Sequence, residues 1–218
     1  MVAAEPSSAD HQAIAQLVRG ASAFGLKLEG ASIVRFQTYL GILSLWRTRL
    51  SLTAASTARE IVGRHIIDSF SIMRFVKPGF YTADIGSGAG FPGIPIAIAC
   101  PEARVVLVES RRKRANFLRE VIRTANLTNA EVIEARAESI VADRPATFDL
   151  VVARALGPVT DFLRLGTDLL KIGGLAIAMK GPKGHADAEP HPGFAPPEIV
   201  PYIIAGDVSR LLLIFRRR

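Results

Sequence analysis

Apolar residues recur at helical spacing through the first third of the chain. Ile14, Leu17, Val18, Ala21 and Phe24 follow Asp10, a suitable N-cap, and Gly25 closes the stretch, so a first helix is predicted there. A second apolar period begins near Ser32 and carries Val34, Phe36, Tyr39, Leu40, Leu43, Leu45 and Trp46. A third runs from about Ala58 to Val76, where Pro78 and Gly79 break it. Residues 1–9 show no period and read as a disordered lead. From Tyr81 the pattern changes to short, nearly continuous apolar runs alternating with helical ones. Strands are predicted over 81–85, 104–109, 131–134, 148–153 and 175–179, and helices over 93–100, 112–126 and 159–170. This alternation predicts an α/β fold with a parallel sheet covered on both faces. Residues 181–197 hold five prolines and read as a loop; 199–205 and 210–215 then suit an antiparallel terminal hairpin. The expected organisation is an N-terminal helical extension, 1–76, packed on one compact α/β unit, 77–218.

Composition narrows the function. With 49% hydrophobic and 22% charged residues the chain suits a globular domain and not a disordered one. Cys100 is the single cysteine, which excludes a disulfide framework or a cysteine-rich zinc site. No apolar run approaches the roughly 20 residues of a membrane span, and the first residues lack the basic start and apolar stretch of a signal peptide. A cytoplasmic protein, without membrane partners and monomeric, is expected. Lys plus Arg is 27 against 20 for Asp plus Glu, a net charge of +7, and 21 of the cations are Arg. That balance points to a polyanionic partner gripped through bidentate contacts.

The most informative stretch is Asp84-Ile85-Gly86-Ser87-Gly88-Ala89-Gly90, which follows a predicted strand and opens a helix. A dinucleotide fingerprint needs G-x-G-x-x-G, and Phe91 stands where its third glycine belongs. The form D-x-G-x-G-x-G resembles the first motif of Rossmann-like S-adenosylmethionine-dependent methyltransferases. Glu109 ends the second strand, 23 residues after Gly86, where a carboxylate can accept hydrogen bonds from both ribose hydroxyls. Asp84, Gly86, Gly88, Gly90, Phe91 and Glu109 are therefore expected to bind S-adenosylmethionine.

Further residues carry a narrower resemblance. The run from Asp84 through Phe91-Pro92-Gly93-Ile94-Pro95 is similar to the signature of the glucose-inhibited division protein B family, 16S ribosomal RNA (guanine-N7) methyltransferases. Arg64-His65-Ile66-Ile67-Asp68-Ser69 resembles the family's R-H-I-x-D-S segment, and Trp46 through Thr53 its W-N-x-x-x-N-L-T segment, with Arg47 and Ser51 replacing both asparagines. Glu109-Ser110, Lys113-Arg114, Phe117-Leu118, Arg154-Ala155 and Lys180-Gly181 resemble its later blocks. The resemblance spans about residues 25–215. It implies a Rossmann-like methyltransferase fold with a helical cap, S-adenosylmethionine as cofactor, 16S rRNA or the assembling small subunit as partner, and cofactor contacts at Gly86, Phe91, Ala137, Glu138 and Arg154.

Methylating guanine N7 requires no general base, because N7 carries a lone pair and no proton. Alignment and exclusion of water are what the enzyme must supply. Arg154, at the end of the fourth strand, is the candidate catalytic residue, acting by positioning. The alternative for it is a structural ion pair with Glu138 or Asp149. His65 and Asp68, three apart on one helix, shape a substrate or cofactor cleft or fill the core; a metal site is not expected. Arg64 and Asp68 suit a helix salt bridge. Of the basic residues, Arg111–Arg114, Arg119 and Arg123 read as a solvated helix face, with an RNA-facing surface as the alternative that the net +7 favours. Arg47, Arg49, Arg59 and Arg64 make a second cluster. Lys180, Lys183 and Arg210 with Arg216–Arg218 make a third. Arg47, Arg49, Arg64, His65, Lys180 and Arg210 are the RNA-binding candidates. Three rivals remain: a small-molecule methyltransferase on the same fold, a non-catalytic RNA-binding module and, disfavoured by its glycine spacing, an NAD enzyme.

Overall fold

A computed structural model describes residues 8–218 apart from 156, 205 and 207. Most of the expected lead, 1–7, therefore lies outside the described residues. The first helix, α1 (Ser8–Ala23), begins two residues ahead of Asp10, so Asp10 is not its N-cap. The second, α2 (Gly30–Leu50), ends at Ser51 in left-handed backbone. The third period is broken by packing into α3 (Ala58–Ile61), a π-helical turn (Val62–Ile66), α4 (Ile67–Phe70) and a 3-10 turn (Met73–Phe75). Thr57 caps α3 with a full capping box: its side chain accepts the Glu60 N–H while the Glu60 carboxylate takes the Thr57 N–H.

Seven strands follow: β1 (Tyr81–Ile85), β2 (Arg104–Val108), β3 (Ala130–Ile133), β4 (Phe148–Arg154), β5 (Leu170–Lys180), β6 (Glu198–Ile204) and β7 (Val208–Arg216). They form one sheet in the order β3-β2-β1-β4-β5-β7-β6. The first five are parallel, and β7 pairs antiparallel with both β5 and β6. Helices α5 (Gly93–Ala99), α6 (Arg112–Thr124) and α7 (Val159–Leu169) connect β1 to β2, β2 to β3 and β4 to β5. The unbroken apolar strands have a simple cause. Val105 and Leu107 of β2, Leu150 and Val152 of β4, and Leu212 and Ile214 of β7 join one core; Val106, Val108, Val151, Ala153, Leu213 and Phe215 join the other. Both faces are buried, so neither needs polar residues.

The first core also takes Leu17, Phe36, Tyr39, Ile61, Ile66 and Phe70 from the N-terminal helices. Phe36 meets Phe70 edge to face at 5.9 Å. These helices share the core of the sheet face they cover: α2 runs from Ser32, which donates to the Ile98 carbonyl near the end of α5 (Gly93–Ala99), to Tyr39 at the loop after β1. The chain reverses direction across the sheet between β1 and β4, the switch point where open α/β sheets bind ligands.

Candidate active site

At the end of β1 the chain passes through Gly86, Gly88 and Gly90 with φ of 73°, 56° and 96°. Left-handed backbone at three alternate positions is open to glycine and strained for other residues. Space adds a second requirement. A Cβ on Gly90 would stand 2.6 Å from Ile94 Cγ1, and one on Gly93 2.2 Å from Leu107 Cδ2 and 2.7 Å from Asp84 Oδ2. Two buried carboxylates hold the loop. Asp84 accepts the Gly93 N–H at 2.9 Å. Glu109 accepts the Gly88 N–H at 3.0 Å through Oε2 and the Arg111 N–H at 2.8 Å through Oε1. From above, Tyr39 of α2 donates its hydroxyl to the Ala89 carbonyl at 2.6 Å, and burial pushes that phenol well above its usual range.

Beside the loop lies a cleft of about 610 Å³, lined among others by Gly86, Ser110, Ala137, Glu138, Pro158 and Phe162. Residues from the ends of β1, β2 and β4 and from the segment after β3 thus converge on one opening. Burial pushes the Asp84 carboxyl up to about 7, against the Gly93 N–H and the Ser87 hydroxyl, which lower it. Its Oδ1 has no partner among the described residues. A backbone loop backed by two buried carboxylates, one with an unpaired oxygen, suits a ligand that carries positive charge and hydroxyls.

A second network adjoins the loop on the side of the N-terminal helices. Arg154, the last residue of β4, places Nε 3.2 Å from Asp68 Oδ2. Its terminal NH2 donates to His65 Nδ1 at 2.8 Å and to the Arg64 carbonyl at 3.1 Å. Asp68 is 1% exposed and also accepts the Tyr202 hydroxyl at 2.8 Å, with Arg210 Nε at 3.8 Å. The His65 ring stacks on Phe91 at 4.9 Å, and Arg154 lies 5.8 Å from the same ring. Burial, then the charges of Arg154, Arg64 and Arg210, lower His65 to about 4, so the imidazole is neutral near pH 7. Its nitrogens are both engaged, Nδ1 by Arg154 and Nε2 by Thr53 Oγ1 at 2.6 Å.

The structure brings Asp84, Gly86, Gly88, Gly90, Phe91 and Glu109 together in the loop, with Ala137 and the exposed Glu138 on the far wall of the cleft. Phe91 is 8% exposed and spends its ring on Tyr39, His65 and Arg154. The Glu109 oxygens each already hold one backbone N–H, an arrangement that orients the carboxylate. The expected partners of Arg154 are corrected: it pairs with Asp68, while Asp149 takes Lys171 at 2.7 Å. Asp149 sits inside β4 and also accepts the Tyr81 N–H, so it faces the other end of the sheet. Arg64 pairs with Glu60 at 3.8 Å and not with Asp68, whose carboxylate is turned inward to Arg154.

Among the basic candidates, Lys180 reaches Asp187 at 3.1 Å and the Gly157 carbonyl at 3.4 Å. Arg210 and the backbone of Arg64 touch the Asp68–Arg154 network, and Arg47 pins the loop after α2 through the Ala55 carbonyl at 3.4 Å. Arg49 is exposed near the end of α2. The third sequence cluster is divided by the antiparallel pairing. Lys180 lies opposite Leu211 at one end of β7, whereas Arg216 lies opposite Leu175 at the other, about 16 Å along the strand. Sequence reasoning missed Tyr39 and Tyr202, because each is recruited by a partner 50 or 134 residues away.

Residues 32–193 match the family model described as GidB: rRNA small subunit methyltransferase G. The chain is 40% identical over 193 residues to a Stenotrophomonas maltophilia protein named Ribosomal RNA small subunit methyltransferase G, covering 88% of this chain and 89% of that one. A protein of the same name from Xylella fastidiosa is 44% identical over 162 residues, covering 74% and 75%. Among solved structures, TrmN from Thermus thermophilus superposes with a TM-score of 0.57 at 20% identity, over 70% of this chain and 49% of that one. Precorrin-6y C5,15-methyltransferase from Geobacter metallireducens gives 0.55 at 16%, over 70% and 88%. TYW2 from M. jannaschii, solved with AdoMet, gives 0.52 at 17%, over 71% and 76%. These last three are likenesses of fold.

Proposed function

The chain belongs to the rRNA small subunit methyltransferase G family, and on that premise we propose that it methylates N7 of one guanine in 16S rRNA, using S-adenosylmethionine. The observation that carries the reading is the junction of the loop and the Arg154 network at the switch point. A carboxylate-backed cleft for a cationic ligand meets a half-buried guanidinium there, under a rim of Arg64, Lys180 and Arg210. The cofactor, when bound, supplies an electrophilic methyl group on a sulfonium. Gly86 to Gly90, Asp84, Glu109 and the Ala137-Glu138 wall would hold it. Asp84 and Glu109 favour positive charge at the loop, and the glycines allow close backbone approach.

The remaining tasks fall to the chain's own side chains. Arg154, fixed on Asp68 and His65, holds a positive charge beside Phe91 without moving a proton. No base is required, and the neutral, doubly bonded His65 agrees with that. The helical first third serves as a cap, supplying His65 and Asp68 and excluding water from the junction. The cations of the rim, exposed Arg64 and half-buried Lys180 and Arg210, grip phosphates of the RNA, a cytoplasmic substrate taken as the assembling small subunit by a monomeric enzyme. A small-molecule methyltransferase has no use for this rim.

Tritium transfer from labelled S-adenosylmethionine to small subunits and to 16S rRNA from a strain lacking this protein tests the reading. Mass spectrometry should find one methylated guanine, and Gly86→Asp should abolish transfer. Cofactor binding without transfer to either RNA form would sink the proposal.

A further inference from the structure

We propose that Thr53 reads the target base: its hydroxyl donates a hydrogen bond to an acceptor on the purine's Hoogsteen edge, O6 of guanine, beside the N7 that is methylated. This rests on the reading above and names a residue that selects its substrate.

A guanidinium has hydrogens and no lone pair to offer, so in the 2.8 Å contact between Arg154 and His65 Nδ1 the arginine donates and Nδ1 accepts. A neutral imidazole that accepts at Nδ1 carries its proton on Nε2. The 2.6 Å contact between Nε2 and Thr53 Oγ1 therefore runs from histidine to threonine. The Ala55 N–H donates to the same oxygen at 3.1 Å. Both lone pairs of Oγ1 are then used, and its hydroxyl proton must go to an acceptor elsewhere. No such acceptor lies within hydrogen-bond distance among the described residues. The chain from Asp68 through Arg154 and His65 thus fixes Thr53 as a donor.

The position of this donor is built and not incidental. Thr53 is half-buried, in the loop that Arg47 ties down through Ala55. It stands one imidazole ring away from both Arg154 and Phe91. A donor at that place distinguishes purines. Guanine offers O6 as an acceptor beside N7, whereas adenine presents the N6 amino donor there. A donor facing a donor leaves both groups unpaired on contact, a stronger basis for rejection than loss of fit. The serine hydroxyl preserves the chemistry; valine preserves the shape alone.

The test pairs a protein change with a substrate change. Small subunits are reconstituted with 16S rRNA ligated to carry either guanine or 2-aminopurine, which lacks O6, at the position the wild-type enzyme methylates. Wild type is expected to lose at least tenfold in kcat/KM on 2-aminopurine. Thr53→Val should lose a similar factor on guanine and little more on 2-aminopurine, with cofactor affinity by calorimetry unchanged. Thr53→Ser should behave as wild type. Additive losses in Thr53→Val, or loss of cofactor binding by that variant, would overturn the proposal and make Thr53 structural. A wild-type enzyme inactive on guanine subunits defeats the functional reading itself, a separate outcome.

Discussion

Asp84 and His65 are both buried titratable groups, and their effects on stability run in opposite directions. The Asp84 carboxyl is raised to about 7, so between pH 4 and 7 the folded protein keeps a proton that the unfolded chain has lost. Stability from this group therefore falls as pH rises, by on the order of 4 kcal/mol across the window. His65 is lowered to about 4, so between pH 4 and 6.5 the unfolded chain binds the extra proton and stability rises with pH, by up to about 3 kcal/mol. In the wild type the two slopes largely oppose each other below pH 6.5. Asp84→Asn keeps an acceptor for the Gly93 N–H and removes the titration. Urea denaturation of this variant between pH 4 and 6.5 should expose the rising slope of His65, and a flat curve would count against its low pKa. The same variant tests the loop's charge. A cationic ligand beside Asp84 favours its ionised form, so calorimetry in two buffers near pH 6.5 should show proton release on cofactor binding by wild type and none by Asp84→Asn. At Asp68 the expectation is kinetic. Asp68→Asn leaves a hydrogen-bonding oxygen but no charge to hold Arg154, and kcat should fall about a hundredfold with cofactor affinity nearly unchanged.

Two short elements fix the geometry of the site. The segment after Thr57 starts on a capping box and then widens into a π turn in which the Ile67 N–H reaches back to the Val62 carbonyl. Such turns are frequent at functional sites because they re-aim side chains; this one carries Arg64 and His65. Thr57→Ala should cost about 1 kcal/mol in thermal or urea unfolding. The other element is the loop from β1 to α5. Gly90→Ala forces a side chain into φ of 96° and against Ile94. Cofactor affinity should drop more than tenfold while the circular dichroism spectrum retains its helix and strand content. Unchanged affinity would mean that the loop relaxes freely, against the close packing of Ile94, Leu118 and Tyr39 around it.

Across the whole molecule the positive charge is unevenly useful. Arg119 and Arg123 are taken up by Glu134 and Glu120 on a solvated face of α6. Arg216 donates to the Gly173 carbonyl at the end of the sheet away from the cleft. Arg64, Lys180 and Arg210 are also paired, with Glu60, Asp187 and Asp68, and what sets them apart is their place around the junction. RNA affinity should therefore fall steeply with salt. Lys180→Gln should reduce the slope of log K against log salt by about 0.7–0.9, and Arg216→Gln should leave it unchanged. Equal effects of the two substitutions would mean that the grip is diffuse. Cofactor affinity should hardly respond to salt in either variant.

Much of this plan was legible in the residues themselves. The runs at β2 and β4 are apolar on both sides, which dictates a doubly covered sheet, and Asp84 through Gly90 follows a strand with the one residue type that tolerates the turn. Local information suffices where a segment's own period or φ requirement decides its conformation. It does not suffice where a side chain chooses among distant partners. Arg154 has acidic residues at hand in its own sequence neighbourhood, yet pairs with Asp68, 86 residues earlier, because β4 delivers it under the helix that carries that carboxylate. The π turn at Val62–Ile66, the hold of Tyr39 on Ala89 and that of Tyr202 on Asp68, and the separation of Lys180 from Arg216 likewise exist only after the sheet order and the burial of the N-terminal helices are set. The sequence by itself determined the fold class and the glycine loop, through periodicity and backbone sterics. The tertiary structure alone decided which charges neutralise one another in the core, and hence which groups are left to meet the cofactor and the RNA.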